Sequence, residues 1–225
     1  MFSMVVGLLL ASSTAPLAHV DEDSIAWLSG GFSSTWVVQI GGGKHVTPRL
    51  RLDVQLETPI VRPLVMGGRL AVGSTLVTRF NEWFVLGARL EVGAPWASDF
   101  LGSWVGVDAR LSVLPALSRP TWSLAVSLSV MPTIGVSWTP SLVVRDLFGD
   151  REGSAVQSPT ARGIGPSAFR LEAGLATRVL LGGAQLKWWL TGAGGLVATP
   201  GRFALSAPPT STLPFHATLG VLCAF

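Results

Sequence analysis

Residues 49–57 read RLRLDVQLE: Leu50, Leu52, Val54 and Leu56 alternate with Arg49, Arg51, Asp53, Gln55 and Glu57. A period of two is the mark of a β-strand, with side chains pointing alternately to opposite faces. One face of this strand is aliphatic and the other charged. In a soluble sheet the leucines face a core and the charges face water; in a membrane barrel the leucines face lipid and the charges face the inside.

Composition weighs on that choice. The chain has 225 residues, of which 48% are hydrophobic and 13% charged, against roughly 25% charged in an average soluble domain. Mean hydropathy is +0.51. The longest apolar runs, such as Met4 to Ala11, are far shorter than the roughly 20 residues of a transmembrane helix. A net charge of +3 with scattered basic residues gives no nucleic-acid footprint. A single cysteine, Cys223, excludes an intramolecular disulfide.

The two-residue alternation recurs along the chain. Leu70, Val72, Leu76 and Phe80 oppose Arg69, Ala71, Gly73, Thr75 and Arg79; Phe84, Leu86, Ala88, Leu90 and Val92 oppose Val85, Gly87, Arg89 and Glu91. Val105, Val107, Ala109, Leu111 and Val113 oppose Gly106, Asp108, Arg110 and Ser112, and Trp122 to Val130 oppose Ser123, Ala125, Ser127 and Ser129. Phe169, Leu171, Ala173, Leu175 and Val179 oppose Arg170, Glu172, Gly174, Ala176 and Arg178, while Leu186, Trp188 and Leu190 oppose Lys187 and Trp189. Shorter candidate strands lie at 33–41 and 133–146, and a last one at 214–225. Repeated segments of about ten residues with this pattern, separated by turn residues, predict an all-β, closed antiparallel transmembrane β-barrel. Using every candidate gives ten strands. Eight is the alternative, because the parity that begins at Trp122 continues through Val136 and Trp138 past Pro132.

The connections are of two kinds. Asn81-Glu82 and Gly182-Gly183 predict tight two-residue hairpins, whereas 147–167 and 199–213 are long, rich in Gly, Pro and Ser, and read as surface loops. The first 18 residues, a short apolar stretch followed by small residues, read as a secretory signal peptide. That leaves 19–225 as a single domain.

The apolar faces carry no charge. The opposite faces carry Arg49, Arg51, Arg69, Arg79, Arg89, Arg110, Arg170, Arg178 and Lys187, with Asp53, Glu57, Glu91, Asp108 and Glu172. They also carry mid-strand glycine and alanine, at Gly73, Gly87, Gly106, Gly174 and Ala176, which suits a crowded interior where a long arginine lies across a neighbour lacking a side chain. These charges are expected to form a network that fills the lumen. If a water path exists, nine basic groups against five acidic ones predict a preference for anions. A soluble exported β-sandwich is the third reading.

The chain ends PFHATLGVLCAF, a final alternating strand whose last residue is Phe225. This resembles the C-terminal strand of bacterial outer-membrane β-barrel proteins. The resemblance implies a location in the outer membrane, contact with its lipid, and recognition of Phe225 by the barrel-assembly machinery. In such a barrel ten strands place both termini on the periplasmic side, and the expected function is structural or concerned with interaction at the cell surface, through partners of the loops at 147–167 and 199–213. The sequence has no tyrosine, so the aromatic girdles of that family are expected from Trp36, Phe80, Phe84, Trp122, Trp138, Phe169, Trp188, Phe215 and Phe225.

Chemistry-bearing motifs are few. His19, His45 and His216 are the candidate bases, and His216 with Thr218 on one strand is no triad. Gly163-Ile164-Gly165 lacks the strand-to-helix setting of a nucleotide loop. No spacing of Cys and His suggests a metal, and no cofactor or catalytic role is expected. Cys223 reads as a small apolar filler.

Overall fold

The computed structural model describes residues 23–33, 35–59, 66–99, 102–138, 163–164, 168–183, 186–198 and 215–225. The expected signal peptide at 1–18 and the expected surface loop at 199–213 lie outside the described residues, as does the expected loop at 147–167 apart from Gly163 and Ile164. The strands are β1 (Ser24–Ser33), β2 (Thr35–Thr47), β3 (Leu50–Pro59), β4 (Met66–Arg79), β5 (Phe84–Asp99), β6 (Gly102–Ser118), β7 (Trp122–Trp138), the two-residue β8 (Gly163–Ile164), β9 (Ala168–Gly182), β10 (Lys187–Ala198) and β11 (Phe215–Ala224). No described helix is long and apolar enough to cross a membrane.

Every pairing is antiparallel, each long strand bonds to the next in sequence, and β1 closes the circle against β11 from Ile25↔Ala224 to Phe32↔Ala217. Ten strands therefore form one closed barrel. The short β8 adds two rungs to β7, at Val136 and Ser137, beyond the point where β9 stops at Thr133↔Ala168. Closure removes the β-sandwich reading, since a sandwich consists of two open sheets.

Ten strands result from a different parse from the one the alternation suggested. Trp122 to Trp138 is a single strand, so 133–146 contributes no strand of its own. The place is taken by β1, SIAWLSGGFS, which no expected strand covered; the candidate at 33–41 is the start of β2. The inward residues of β1, Ile25 and Trp27, are as apolar as its outward Leu28, so the polar-apolar alternation that reveals the other strands is missing.

Pro132 does not break β7, but it interrupts pairing. The β6–β7 register runs to Asp108↔Thr133 and resumes at Leu111↔Val130, and a second gap falls beside Pro115, between Val113↔Leu128 and Ala116↔Ala125. The β5–β6 register skips in the same way beside Pro95. A proline nitrogen has no proton to give, so a rung is lost on the side its nitrogen faces. The other neighbour still pairs: Pro132 aligns with Phe169, Pro115 with Leu86, and Pro95 with Arg69.

The barrel has two dissimilar ends. The start of β1, the end of β11 and the connections at 48–49, 80–83, 119–121 and 183–186 lie at one, here the terminal end; the opposite strand ends, among them the start of β2 and the end of β10, form the other, the loop end. The predicted two-residue turns are in fact wider. At 80–83 the Asn81 side-chain oxygen accepts the backbone N–H of Trp83 and of Phe84, both at 2.8 Å, and this bracing supports a four-residue loop. At 183–186 both Gly182 and Gly183 have positive φ, 142° and 118°, which a side chain would strain.

Candidate functional site: the filled lumen

Alternation assigns the faces throughout. Leu52, Val54, Leu70, Val72, Leu90, Leu111, Leu128 and Leu175 stand exposed on the outer wall, while Arg51, Asp53, Gln55 and Glu57 are at most 2% exposed inside. A belt of exposed Phe80, Trp83, Trp122, Trp188 and Phe225 surrounds the terminal end, and Trp36 stands near the loop end. Trp83 was not among the expected girdle residues. The side chains of Trp138, Phe169 and Phe215 lie outside the described residues.

Of the 14 charges expected inside, eleven are buried: Arg51, Asp53, Glu57, Arg69, Arg89, Glu91, Asp108, Arg110, Arg170, Glu172 and Arg178. Arg49, Arg79 and Lys187 depart from that expectation. All three are exposed where strands begin or end at the terminal end. Their parity is inward, but at a strand end an inward side chain reaches the mouth instead of the middle.

The centre of the lumen is an interlocked ion lattice. Arg69 on β4 meets Asp108 on β6 with two bonds, Nε to Oδ2 at 2.7 Å and Nη2 to Oδ1 at 2.6 Å. Its Nη1 lies 2.6 Å from Glu91 Oε1. Arg89 on β5 reaches back to Asp53 on β3, with Nη2 2.6 Å from Oδ1, and also donates to Glu91 Oε2 at 2.7 Å and to the Thr75 hydroxyl. Gln55 donates to Glu91 at 3.3 Å. The paired fork geometry fits carboxylates well, and so low a dielectric demands this satisfaction.

Each of the two central arginines spans an intervening strand at a glycine. Arg89 crosses β4 at Gly73, where an added Cβ would sit 2.5 Å from its Nη2, and Arg69 crosses β5 at Gly93, where a Cβ would sit 2.7 Å from its Nε. The sequence contains the device twice, as RLAVG at 69–73 and RLEVG at 89–93. Gly93 was missed because the alternation was followed only to Val92, yet this repeat would have exposed it. At Gly87 the space is filled by Leu114, and at Gly174 by the Ser127 hydroxyl.

Around this lattice the lining changes with position. On the β1–β3 side, Ser29, Gln39 and Glu57 form a chain of hydrogen bonds, each 3.1 Å. Toward β9 and β11, Arg110 and Glu172 approach to 4.0 Å, and His216 Nδ1 lies 3.3 Å from Glu172 Oε1. The inward neighbour of His216 is therefore a carboxylate, in place of the hydroxyl of Thr218. Nearer the terminal end, Ala116, Ala125, Ala176 and Ala193 pack together. Below them Ile25, Trp27, Trp189, Leu222 and Ala224 form an apolar stopper, on which the Arg178 guanidinium lies, 4.2 Å from the Trp189 ring centre. No group of three or more metal-ligating side chains occurs among the described residues. Cys223 is partly exposed.

No protein-family profile and no curated protein matches the chain. Solved structures do. The translocator domain of the autotransporter NalP from Neisseria meningitidis aligns with a TM-score of 0.52 at 11% identity, over 99% of this chain and 93% of that one. The KdgM porin aligns at 0.39 and 6% over 89% and 99%, and LpxR from Salmonella typhimurium at 0.39 and 10% over 90% and 100%. The NalP likeness, at such low identity, speaks for the fold and for nothing finer. In architecture, this chain is a closed, ten-stranded antiparallel β-barrel, similar in fold to that translocator domain.

Proposed function

We propose that the protein resides in the bacterial outer membrane as a sealed barrel with a structural role or a role in interaction at the cell surface. The filled lumen is the observation that carries this reading. Arg69, Arg89 and Glu91 are at most 1% exposed at its centre, and Trp189, at 1%, stands in a separate stopper toward the terminal end. A ten-stranded barrel is narrow enough for side chains to fill. The connections at 147–167 and 199–213 are then the segments offered to surface partners, with lipid around the wall and the assembly machinery acting on Phe225 during insertion.

A narrow anion-preferring pore is the second reading, and the basic excess that favours it is smaller inside the lumen than nine against five. With Arg49, Arg79 and Lys187 at the mouth, the lumen among the described residues holds six arginines against five carboxylates. No enzymatic step is part of the proposal.

Single-channel recording in planar bilayers is the test. The purified, heat-modifiable barrel is expected to give no stable conductance; reproducible anion-selective steps would overturn the sealed-barrel reading. Solubility without detergent would overturn the membrane location.

A further inference from the structure

The two sides of the lumen are not finished alike. On the β3–β6 side Asp53, Glu91 and Asp108 each meet a guanidinium at close range. On the β7–β11 side, buried polar atoms stand without hydrogen-bond partners among the described residues. They are Ser127 Oγ and Thr133 Oγ1 on β7, Arg170 Nε and Glu172 Oε1 on β9, and both ring nitrogens of His216 with Thr218 Oγ1 on β11. All six residues are at most 8% exposed. In folded proteins such atoms are bonded in the great majority of cases, to protein or to a small molecule held inside.

The backbone groups these atoms around one strip. Ser127, Gly174, Gly195 and His216 align across β7, β9, β10 and β11, so between the serine and the histidine the inward face carries no side chain of its own. The groups at either edge border that strip: a Cβ at Gly195 would sit 2.8 Å from His216 Cε1, and one at Gly174 would sit 3.0 Å from the Ser127 hydroxyl. Glu172 is the next inward position of β9 toward the loop end, and its Oε1 lies 3.3 Å from His216 Nδ1 without an aligned hydrogen bond. The alanine layer and the stopper close the terminal side, which leaves the loop end as the approach.

The chemistry of the strip is mixed and its charges balance. Arg170 lies in the field of Arg110, Glu172 and Glu57, two guanidiniums against two carboxylates, so nothing favours an occupant of net charge. Arg69, which also acts on it, is engaged by Asp108 and Glu91. A hydroxyl group suits what remains. It donates to a carboxylate or an imidazole nitrogen, and it accepts from a guanidinium, a serine or a threonine.

We propose that this strip is a binding site for a small neutral hydroxyl compound, held among Ser127, Arg170, Glu172 and His216. Water and a short polyol share that chemistry, so the experiment has two arms. In the first, the barrel with isotopically labelled histidine is placed in phospholipid nanodiscs and titrated with glycerol, and the ring resonances of His216 are followed with those of His45, at the terminal end, as the reference. In the second, the urea midpoints of Ser127→Ala and Thr133→Val are compared with wild type in the absence of glycerol. Each substitution takes away a hydroxyl at nearly constant shape, and heat-modifiable migration verifies folding. A buried hydroxyl with no partner destabilises, so its removal raises the midpoint; one bonded to an occupant stabilises, and its removal lowers it.

A saturable displacement of the His216 resonances, absent at His45 and weakened about fivefold in Ser127→Ala as the loss of one hydrogen bond implies, supports the site with a polyol as its occupant. An unmoved His216 with lowered midpoints in both variants supports the site with water as its occupant. An unmoved His216 with a midpoint raised or unchanged in either variant overturns the proposal, as does a displacement of His45 equal to that of His216. None of these outcomes depends on whether the lumen conducts.

Discussion

Glu91 is where the lattice converges. It accepts from Arg69, Arg89 and Gln55, so neutralising it leaves two buried guanidiniums short of counter-charge. Breaking such a pair costs about 3–5 kcal/mol. Glu91→Gln is expected to lower stability by that order in equilibrium urea unfolding from detergent micelles, while Glu82→Gln in the exposed 80–83 turn stays within about 0.5 kcal/mol. The spacer glycines give a steric counterpart. Gly73→Val and Gly93→Val each place atoms into a guanidinium, and overpacking of this kind costs about 1–3 kcal/mol in the same assay. At this scale the sequence is informative about side and silent about depth. Parity identified all eleven buried ions, because each follows from alternation alone. It could not separate Arg51 from Arg49, since strand ends depend on where neighbouring strands stop.

Strand identity was legible wherever the two faces differ chemically. β3 to β7 and β9 show this, and β1 does not, because its inward side forms part of the apolar stopper. The same contrast predicts how a strand fails. Val72 lies mid-strand on β4, on the outer wall and 55% exposed. Val72→Arg is expected to reduce folding into lipid vesicles by about 2–4 kcal/mol, read as loss of the heat-modifiable band, and equal folding of variant and wild type would contradict a lipid-facing wall. Pro132 makes a prediction of opposite sign. Pro132→Ala returns an N–H to the β6–β7 ladder at a site where the strands already run side by side, and one backbone bond is worth about 1 kcal/mol. A raised urea midpoint, with the amide at 132 protected from hydrogen exchange, is the expected outcome.

At the scale of the whole barrel, the seal consists of two unlike layers in series, ions at the centre and aromatic and aliphatic groups toward the terminal end. Trp27→Ala/Trp189→Ala removes the second and leaves the first. The variant is therefore expected to remain silent in planar bilayers, and conductance appearing there would show that the stopper alone closes the lumen. The strand number, ten, is as expected, but its parse is not: one long β7 takes the place of two expected strands, and the concealed β1 restores the count.

The two crossing arginines have one more consequence. Alternation is indifferent to a strand sliding by two residues, because every leucine still faces outward and every charge inward. Such a slide displaces a side chain by about 7 Å. Arg69 and Asp108 are on strands separated by β5, and Arg89 and Asp53 on strands separated by β4, so any slide among β3 to β6 takes a guanidinium off its glycine and away from its carboxylate. The buried ions thus act as a vernier, encoding the alignment of strands along the barrel axis that a simple two-residue rhythm cannot specify.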